Sequence, residues 1–134
     1  MAKKNKNINV GVIGVGHLGH HHTKHYAQLK CANLIGVYDI DKRAREKTAL
    51  KYNTKPFDSM EALIKEVDAV SIVTPTHQHK VVAESCIKSG IHVFIEKPIT
   101  KTLREANALI NLADKNKRLI QVGHIERLNP ALIP

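Results

Sequence analysis

The segment INVGVIGVGHLG, residues 8–19, joins a mostly apolar run to the glycine pattern Gly14-x-Gly16-x-x-Gly19. The run Ile8–Ile13 predicts a buried strand, and a helical pattern follows at Leu18–Leu29. In such a strand–turn–helix unit, one glycine allows a tight turn, one lets the backbone approach a phosphate, and one lets the helix pack closely on the strand. The N–H groups at the start of the helix would then bind a pyrophosphate. The candidate phosphate-binding loop consists of Gly14, Val15, Gly16, His17 and Leu18.

Asp39 lies twenty residues after Gly19, at the end of a second predicted strand, Leu34–Tyr38. A carboxylate there can accept hydrogen bonds from an adenosine ribose, so the arrangement predicts a dinucleotide ligand. The alternatives are another nucleoside ligand such as S-adenosylmethionine and a purely structural turn. A carboxylate also repels a 2′-phosphate, which favours NAD over NADP. The basic residues that follow, Lys42 and Arg43, could neutralise such a phosphate and leave NADP open. The candidate contacts at the adenosine end are Asp39, Ile40 and Arg43.

The rest of the chain alternates short apolar runs with helical patterns. Non-alternating strands, each followed by a helix, are typical of a parallel sheet that is covered on both faces. We therefore predict an α/β domain with a doubly wound parallel sheet (Rossmann) and helices on both faces. The predicted elements after Asp39 are a helix at Lys42–Lys51, an extended piece at Pro56 and Phe57, a helix at Ser59–Lys65, a strand at Ala69–Val73, a helix at His77–Ser89, a strand at Ile91–Ile95, a helix beginning at Thr102 and a strand at Leu119–Val122.

The sequence also predicts three local features of these helices. Thr102 and Glu105, three residues apart, predict a capping box at the start of the last helix. Gly90 stands where a C-cap glycine would end the helix His77–Ser89. The residues expected to face inward from the helix Lys42–Lys51 are Ala44, Ala49 and Leu50.

Polar residues follow two of the predicted strands at their carboxyl ends, where open α/β sheets bind their ligands. Thr74-Pro75-Thr76, with His79, comes after one strand, and Glu96-Lys97-Pro98 comes after the next. Lys97 at this edge could donate a hydrogen bond to a substrate hydroxyl or carbonyl group. The alternative interpretation of Glu96-Lys97-Pro98 is an exposed polar loop without a function.

Composition limits the classes of protein that fit. A chain of 134 residues suits one domain, and it contains no apolar run of the roughly 18 residues that a membrane span needs. The net charge of +9 comes from basic residues spread along the chain, including Lys3, Lys4 and Lys6 in an N-terminus that we expect to be flexible. Aromatic residues do not interleave with them, so we expect neither nucleic acid nor a membrane as a partner.

Cysteine and histidine usage gives two further expectations. Cys31 and Cys86 are too few for a disulfide framework, which predicts a reduced, cytoplasmic protein with Cys86 in the core. The run His20–His22 is expected to form a solvated helix face. His21 and His25 are four residues apart but lack a third ligand, so we expect no metal site.

Together these motifs resemble the N-terminal half of the Gfo/Idh/MocA oxidoreductases, over about residues 7–130. The Glu-Lys-Pro element is the most specific part of the resemblance, because dinucleotide-binding folds in general lack it. The segments that carry it are Gly11-Val-Ile-Gly14-Val-Gly16-His-Leu-Gly19, Tyr38-Asp39, Thr74-Pro75-Thr76 with His79, Gly90-Ile-His-Val-Phe-Ile-Glu96-Lys97-Pro98 and Gly123-His124-Ile-Glu-Arg127-Leu-Asn-Pro130.

The resemblance implies hydride transfer between NAD(P) and a hydroxyl-bearing carbon of a sugar, cyclitol or sugar nucleotide. It implies that Lys97 is catalytic, beside the reacting hydroxyl and the nicotinamide, and that His124 and Arg127 face the substrate. The ending Gly123–Pro130 is similar to members that act on nucleotide-linked amino sugars. The residues that the resemblance implies as lining the cofactor are Thr74, Pro75, Thr76, His79 and Glu96.

The resemblance also bears on domain organisation. Members of the family continue into an α+β domain that carries an Asp-x-x-x-His element, most of the substrate pocket and the usual oligomer interface. We therefore expect residues 1–125 to be the dinucleotide-binding domain and 126–134 the start of a connection to an absent second domain. The isolated chain is then expected to be inactive, its apolar tail to be mobile or packed on another copy, and the full-length form to be a homo-oligomer. The alternative function is a stand-alone dinucleotide-binding or sensing module, against which Lys97 argues.

Overall fold

Six parallel strands form one sheet in the order β3-β2-β1-β4-β5-β6. The structure, a computed structural model, describes residues 7–132, so Lys3, Lys4, Lys6, Ile133 and Pro134 lie outside the described residues. The strands are β1 Ile8–Ile13, β2 Ala32–Tyr38, β3 Lys55–Pro56, β4 Ala69–Ile72, β5 His92–Ile95 and β6 Ile120–Val122. The helices are α1 His17–Gln28, α2 Lys42–Lys51, α3 Met60–Ile64, α4 Thr76–Lys88 and α5 Leu103–Asn116, and single 3-10 turns follow at Ile125–Leu128 and Pro130–Leu132.

Helices cover both faces of the sheet. Successive side chains of β1 point to opposite faces and pack in two different cores. Val12 packs in a small core with Val37 of β2 and Ala49 of α2. Its neighbour Ile13 belongs to the larger core on the other face, to which α4 and α5 contribute Ala83 and Leu109. The prediction of a doubly wound α/β sheet is confirmed, and its strand order is that of dinucleotide-binding folds.

Local capping agrees with the sequence predictions. The Thr102 hydroxyl accepts a hydrogen bond from the Glu105 N–H, and the Glu105 carboxylate accepts one from the Thr102 N–H, which confirms the capping box. Gly90, with φ of +81°, follows the end of α4 in the conformation of a C-cap glycine. Cys86 is fully buried in the larger core, as expected.

The prediction that Leu50 faces inward is wrong, since its side chain is 85% exposed. Arg45, Thr48 and Ala49 form the inner face of α2, and Leu50 lies about 100° further round the helix. Arg45 can be buried because its guanidinium donates to the backbone oxygen of Asp39 and to the carboxylate of Asp58.

The end of the described chain is mostly solvent-facing. Leu128 and Leu132, on the two 3-10 turns, are both exposed. Among residues 7–132, none of the helices has the length and apolarity that crossing a membrane requires.

Candidate functional site

A cleft of about 800 Å³ opens at the carboxyl ends of β1 and β4. These central strands are neighbours, and the chain winds outward from them in opposite directions, which is where open α/β sheets bind ligands. The predicted residues that line this cleft are Gly14, Gly16, His17, Leu18, Asp39, Ile40, Thr74, Pro75, Thr76, His79, Glu96 and Lys97. Further lining residues that the sequence reasoning missed include Asp41, Met60, Glu61 and Gln78.

Each of the three glycines in this loop lacks a side chain for a different structural reason. Gly14 has φ of +89°, and a Cβ there would lie 2.7 Å from the backbone oxygen of Val73. A Cβ on Gly19 would overlap the backbone oxygen of Gly14 in the turn beneath it. A Cβ on Gly16 would meet no atom of the described residues within 4 Å, so this position faces open space in the cleft.

The start of α1 is suited to binding an anion. Gly16 is its N-cap residue, and within the described residues the first turn has neither a side-chain cap nor an acidic residue. The first N–H groups of a helix have no partner within the helix, and they carry the positive end of its dipole. The loop therefore offers free donors next to the space above Gly16, as a bound phosphate requires.

Asp39 is held at the other side of this loop. Its Oδ2 accepts a hydrogen bond from the N–H of Val15 at 2.8 Å, and its Oδ1 accepts one from the N–H of Asp41 at 2.9 Å. Val15 itself packs in the small core, so the structure does not place it among the lining residues. Arg43 is exposed on the first turn of α2 and is not among them either.

His79 is buried in the wall of the cleft, and its ring joins two loops. Its Nε2 lies 2.8 Å from the backbone oxygen of Thr74, and its Nδ1 lies 2.9 Å from that of Pro98. A neutral imidazole has one N–H and can donate to only one of the two oxygens at a time. Beside it, the buried hydroxyl of Thr74 has no hydrogen-bond partner among the described residues. An unpaired polar atom in this wall fits a site that receives a polar ligand.

Glu96 and Lys97 lie where β5 ends. The Oε1 of Glu96 is 2.9 Å from Nε2 of His22, and its Oε2 accepts a hydrogen bond from the N–H of Lys97. The Lys97 side chain is exposed at the cleft, and the Lys97–Pro98 peptide bond is cis. The Glu96 carboxylate is therefore bound on both oxygens by protein groups.

The expectation that His20–His22 form a solvated face is wrong for two of the three. His22 turns toward the sheet and contacts Glu96 and Ser71. His20 is half-buried beside α2, where its Nε2 lies 2.7 Å from the Tyr52 hydroxyl. Partial burial, and then the charge of Lys51, lower the pKa of His20 below its usual value. Successive helical residues point about 100° apart, which separates the three rings.

Two other predictions concern the exposure of the histidines on α1 and a metal site. His21 is exposed on α1, as expected, and His25 is exposed as well. In residues 7–132, no group of three or more His, Cys, Asp or Glu side chains is arranged to hold a metal ion.

His124 and Arg127 lie outside the main cleft. They line a second depression of about 500 Å³ at the carboxyl end of β6, together with Gln121 and Leu128. Lys97 lines the main cleft and not this depression.

Comparison with known proteins agrees with this geometry. Residues 8–124 match the model of the oxidoreductase family with an NAD-binding Rossmann fold. The chain is 44% identical over 125 residues to UDP-N-acetylglucosamine 3-dehydrogenase of Acidithiobacillus ferrooxidans, covering 93% of this chain and 39% of that protein. A solved structure of that dehydrogenase superimposes with a TM-score of 0.91, covering 94% of this chain and 41% of the other.

A second relative is scyllo-inositol 2-dehydrogenase (NAD(+)) of Bacillus subtilis. It is 32% identical over 130 residues, covering 92% of this chain and 37% of that protein. The chain thus spans about two fifths of the length of the curated relatives it matches.

Proposed function

Because the chain belongs to the oxidoreductase family with an NAD-binding Rossmann fold, we propose that its cleft binds NAD as the cofactor-binding part of a dehydrogenase. The reaction is hydride transfer between NAD and a hydroxyl-bearing carbon of a sugar, cyclitol or sugar nucleotide. The observation that carries the proposal is Gly16, which faces open space beside the free N–H groups of α1. That arrangement lets a pyrophosphate approach the backbone closely.

The loop around Gly16 binds the pyrophosphate through main-chain groups. His17 and Leu18 belong to the first turn of α1, and their side chains are exposed at the cleft. Gly14 holds the turn in its positive-φ conformation, and Val15 acts through its N–H, which fixes Asp39.

The adenosine half of the cofactor lies over the end of β2. Asp39 accepts hydrogen bonds from the ribose hydroxyls, since a carboxylate oxygen has lone pairs beyond the one that Val15 uses. Ile40 is exposed there and offers an apolar surface to the base. A second carboxylate, Asp41, lines the same part of the cleft. Two carboxylates repel a 2′-phosphate and favour NAD, and Arg43 is the residue that would admit NADP.

The nicotinamide half lies toward the loops that follow β4 and β5. The unpaired Thr74 hydroxyl supports a polar contact to the cofactor, with Pro75, Thr76, His79 and Glu96 forming the rest of the wall. Bound NAD supplies the hydride acceptor. In the oxidation of the substrate, the neutral amine of Lys97 would accept the proton of the reacting hydroxyl, and in the reverse direction its ammonium form would donate a proton to the carbonyl oxygen, as positioned proton-transfer groups do.

The substrate class rests on the two named relatives, one acting on a nucleotide-linked sugar and one on an inositol. Both substrates carry ring carbons with hydroxyl groups. We place His124 and Arg127 on the substrate side, residues 1–125 in the cofactor domain and 126–134 in a connection to the rest of the enzyme. The two free cysteines support a reduced, cytoplasmic setting, and a homo-oligomer remains the expected assembly.

Calorimetry on the 134-residue chain tests the proposal. We expect NADH to bind, NADPH to bind more weakly and S-adenosylmethionine not to bind. Absence of NADH binding would contradict the cofactor assignment. If the enzyme that contains this chain bound NADH but transferred no hydride to any sugar, inositol or sugar nucleotide, the stand-alone binding module would be the better description.

A further inference from the structure

His22 belongs to a chain of hydrogen bonds between α1 and the sheet. Its Nε2 lies 2.9 Å from Oε1 of Glu96, and its Nδ1 lies 3.2 Å from Oγ of Ser71. The Ser71 hydroxyl lies 2.9 Å from the hydroxyl of Tyr26, one turn further along α1. Ser71 is fully buried, while the side chains of His22 and Glu96 are 17% and 13% exposed. Water therefore has little access to these bonds.

The direction of the bonds follows from the Glu96 carboxylate, which can only accept when ionised. Nε2 of His22 must then carry the hydrogen. In a neutral ring Nδ1 is the acceptor, so the Ser71 hydroxyl donates to it and the Tyr26 hydroxyl donates to Ser71. Each of the hydrogen bonds that link Glu96, His22, Ser71 and Tyr26 then has one donor and one acceptor, with His22 in its Nε2–H tautomer.

The Glu96 carboxylate is held from three sides. Besides His22, the N–H of Lys97 donates to its Oε2. On the third side, a Cβ added to Gly123 would lie 3.0 Å from its Oε1, so the backbone after β6 packs directly against it. On the far side of Lys97, His79 faces the backbone oxygen of Pro98. Lys97 thus lies between Glu96, which contacts His22, and Pro98, whose backbone oxygen lies 2.9 Å from Nδ1 of His79.

We propose that His22 is a positioning residue for Lys97. It orients the Glu96 carboxylate, which in turn holds the backbone of Lys97, and so it ties the reactive loop to the helix whose first turn binds the pyrophosphate. This inference rests on the proposed function of Lys97 at the nicotinamide. Without His22, a largely buried carboxylate loses a hydrogen-bond donor and can turn toward other partners, taking the Lys97 N–H with it.

Nuclear magnetic resonance on the 134-residue chain tests the link directly. In the unmodified chain, the ring-nitrogen shifts of His22 should show the Nε2–H tautomer. His22→Leu should move the Lys97 amide proton upfield, because the bond to the carboxylate weakens, while His22→Gln, which retains an N–H donor, should restore part of the shift. The matched control is His25→Leu on the exposed side of α1, which should leave the Lys97 signal in place.

Enzyme kinetics provides the second measurement, on the enzyme that contains this chain. In His22→Leu, kcat should fall roughly tenfold, the effect of losing one charge-assisted hydrogen bond, with NADH affinity unchanged. His22→Gln should recover part of the loss. If His22→Leu does not fold, Ser71→Ala removes the hydroxyl that orients the ring, together with its bond to Tyr26, and should shift the Lys97 amide in the same direction.

The outcomes separate this inference from the proposed function. A Lys97 amide that does not respond to His22→Leu or Ser71→Ala, or an Nδ1–H tautomer, would overturn the positioning role even if NADH binds. Failure of the unmodified chain to bind NADH would overturn the proposed function, and a responsive Lys97 amide would still establish the structural link.

Discussion

The N–H of Val15 donates a hydrogen bond to Oδ2 of Asp39 across 2.8 Å. This bond joins the glycine loop after β1 to the loop after β2. The two parts of the cleft assigned to the pyrophosphate and to the adenosine therefore share one carboxylate.

Asp39→Ala should weaken NADH binding by about 1–3 kcal/mol, because it removes charge-assisted hydrogen bonds to the ribose and releases the Val15 N–H. NADPH binding should weaken less or improve, since a repelling charge is lost. Calorimetry with both cofactors measures this, with Asp114→Ala on the exposed surface of α5 as the control. Tighter binding of NADPH than NADH by the unmodified chain, with Arg43→Ala abolishing that preference, would reverse the cofactor assignment.

Gly16→Val should abolish NADH binding while the protein still folds. The new side chain meets no described atom within 4 Å and instead fills the space assigned to the pyrophosphate. Its melting temperature should correspond to a loss of less than about 1 kcal/mol, the cost of a poorer N-cap. Gly19→Val is the contrasting variant, because its side chain would overlap the backbone of Gly14 and should prevent stable folding. Unchanged NADH affinity in Gly16→Val would show that the phosphates bind elsewhere.

Lys97→Ala, made in the enzyme that contains this chain, should lower kcat by roughly 10²–10⁴, the usual range for a positioned proton-transfer group. Its melting temperature should barely change, because the side chain is exposed. Lys101→Ala removes another exposed lysine four residues further on and should leave turnover intact. Turnover near the unmodified rate in Lys97→Ala would remove Lys97 from the mechanism.

The 134 residues by themselves should bind NADH without steady hydride transfer. Catalysis needs the substrate held within roughly 3–3.5 Å of the reacting carbon. Here Lys97 lines the cofactor cleft, whereas His124 and Arg127 line a separate depression, so few groups converge on a substrate. Assays with inositols and sugar nucleotides measure this, and turnover at rates typical of dehydrogenases would show that these residues suffice.

Thiol reactivity should differ sharply between the two cysteines. Burial raises the pKa of Cys86 to about 12, so at pH 8 only about one in ten thousand of these thiols would be ionised and reactive. Cys31 is exposed. A colorimetric thiol titration of the folded chain should therefore count one thiol, and the same titration in denaturant should count two. Rapid reaction of both thiols in the folded chain would contradict the burial of Cys86.

Most of the fold could be predicted because its signals are local. The glycine spacing around Gly16 and the apolar run Ile8–Ile13 identified β1, its turn and α1 within a few neighbouring residues. The sequence also predicted that Thr74 and Lys97 lie at one cleft, since parallel strands bring their carboxyl ends to the same edge.

The positions of His22 and Arg45 could not be predicted, because they depend on partners that are distant in the sequence. His22 contacts Ser71 and Glu96, which are 49 and 74 residues away, so nothing near His22 distinguishes it from the histidines beside it. Arg45 lies on the inner face of α2, where the sequence pattern predicted Leu50. It can be buried there because its guanidinium donates hydrogen bonds to oxygens of Asp39 and Asp58.

The central position of β1 has a consequence for synthesis of the chain. Val10 pairs with Leu34 on one side and with Ala69 on the other. After Leu34 has left the ribosome, one edge of β1 stays without its partner until Ala69 follows, which takes about 2–7 seconds at ordinary translation rates. An open, apolar strand edge can pair with another nascent chain. The speed of translation between these two residues therefore sets how long this edge of β1 is open to such pairing.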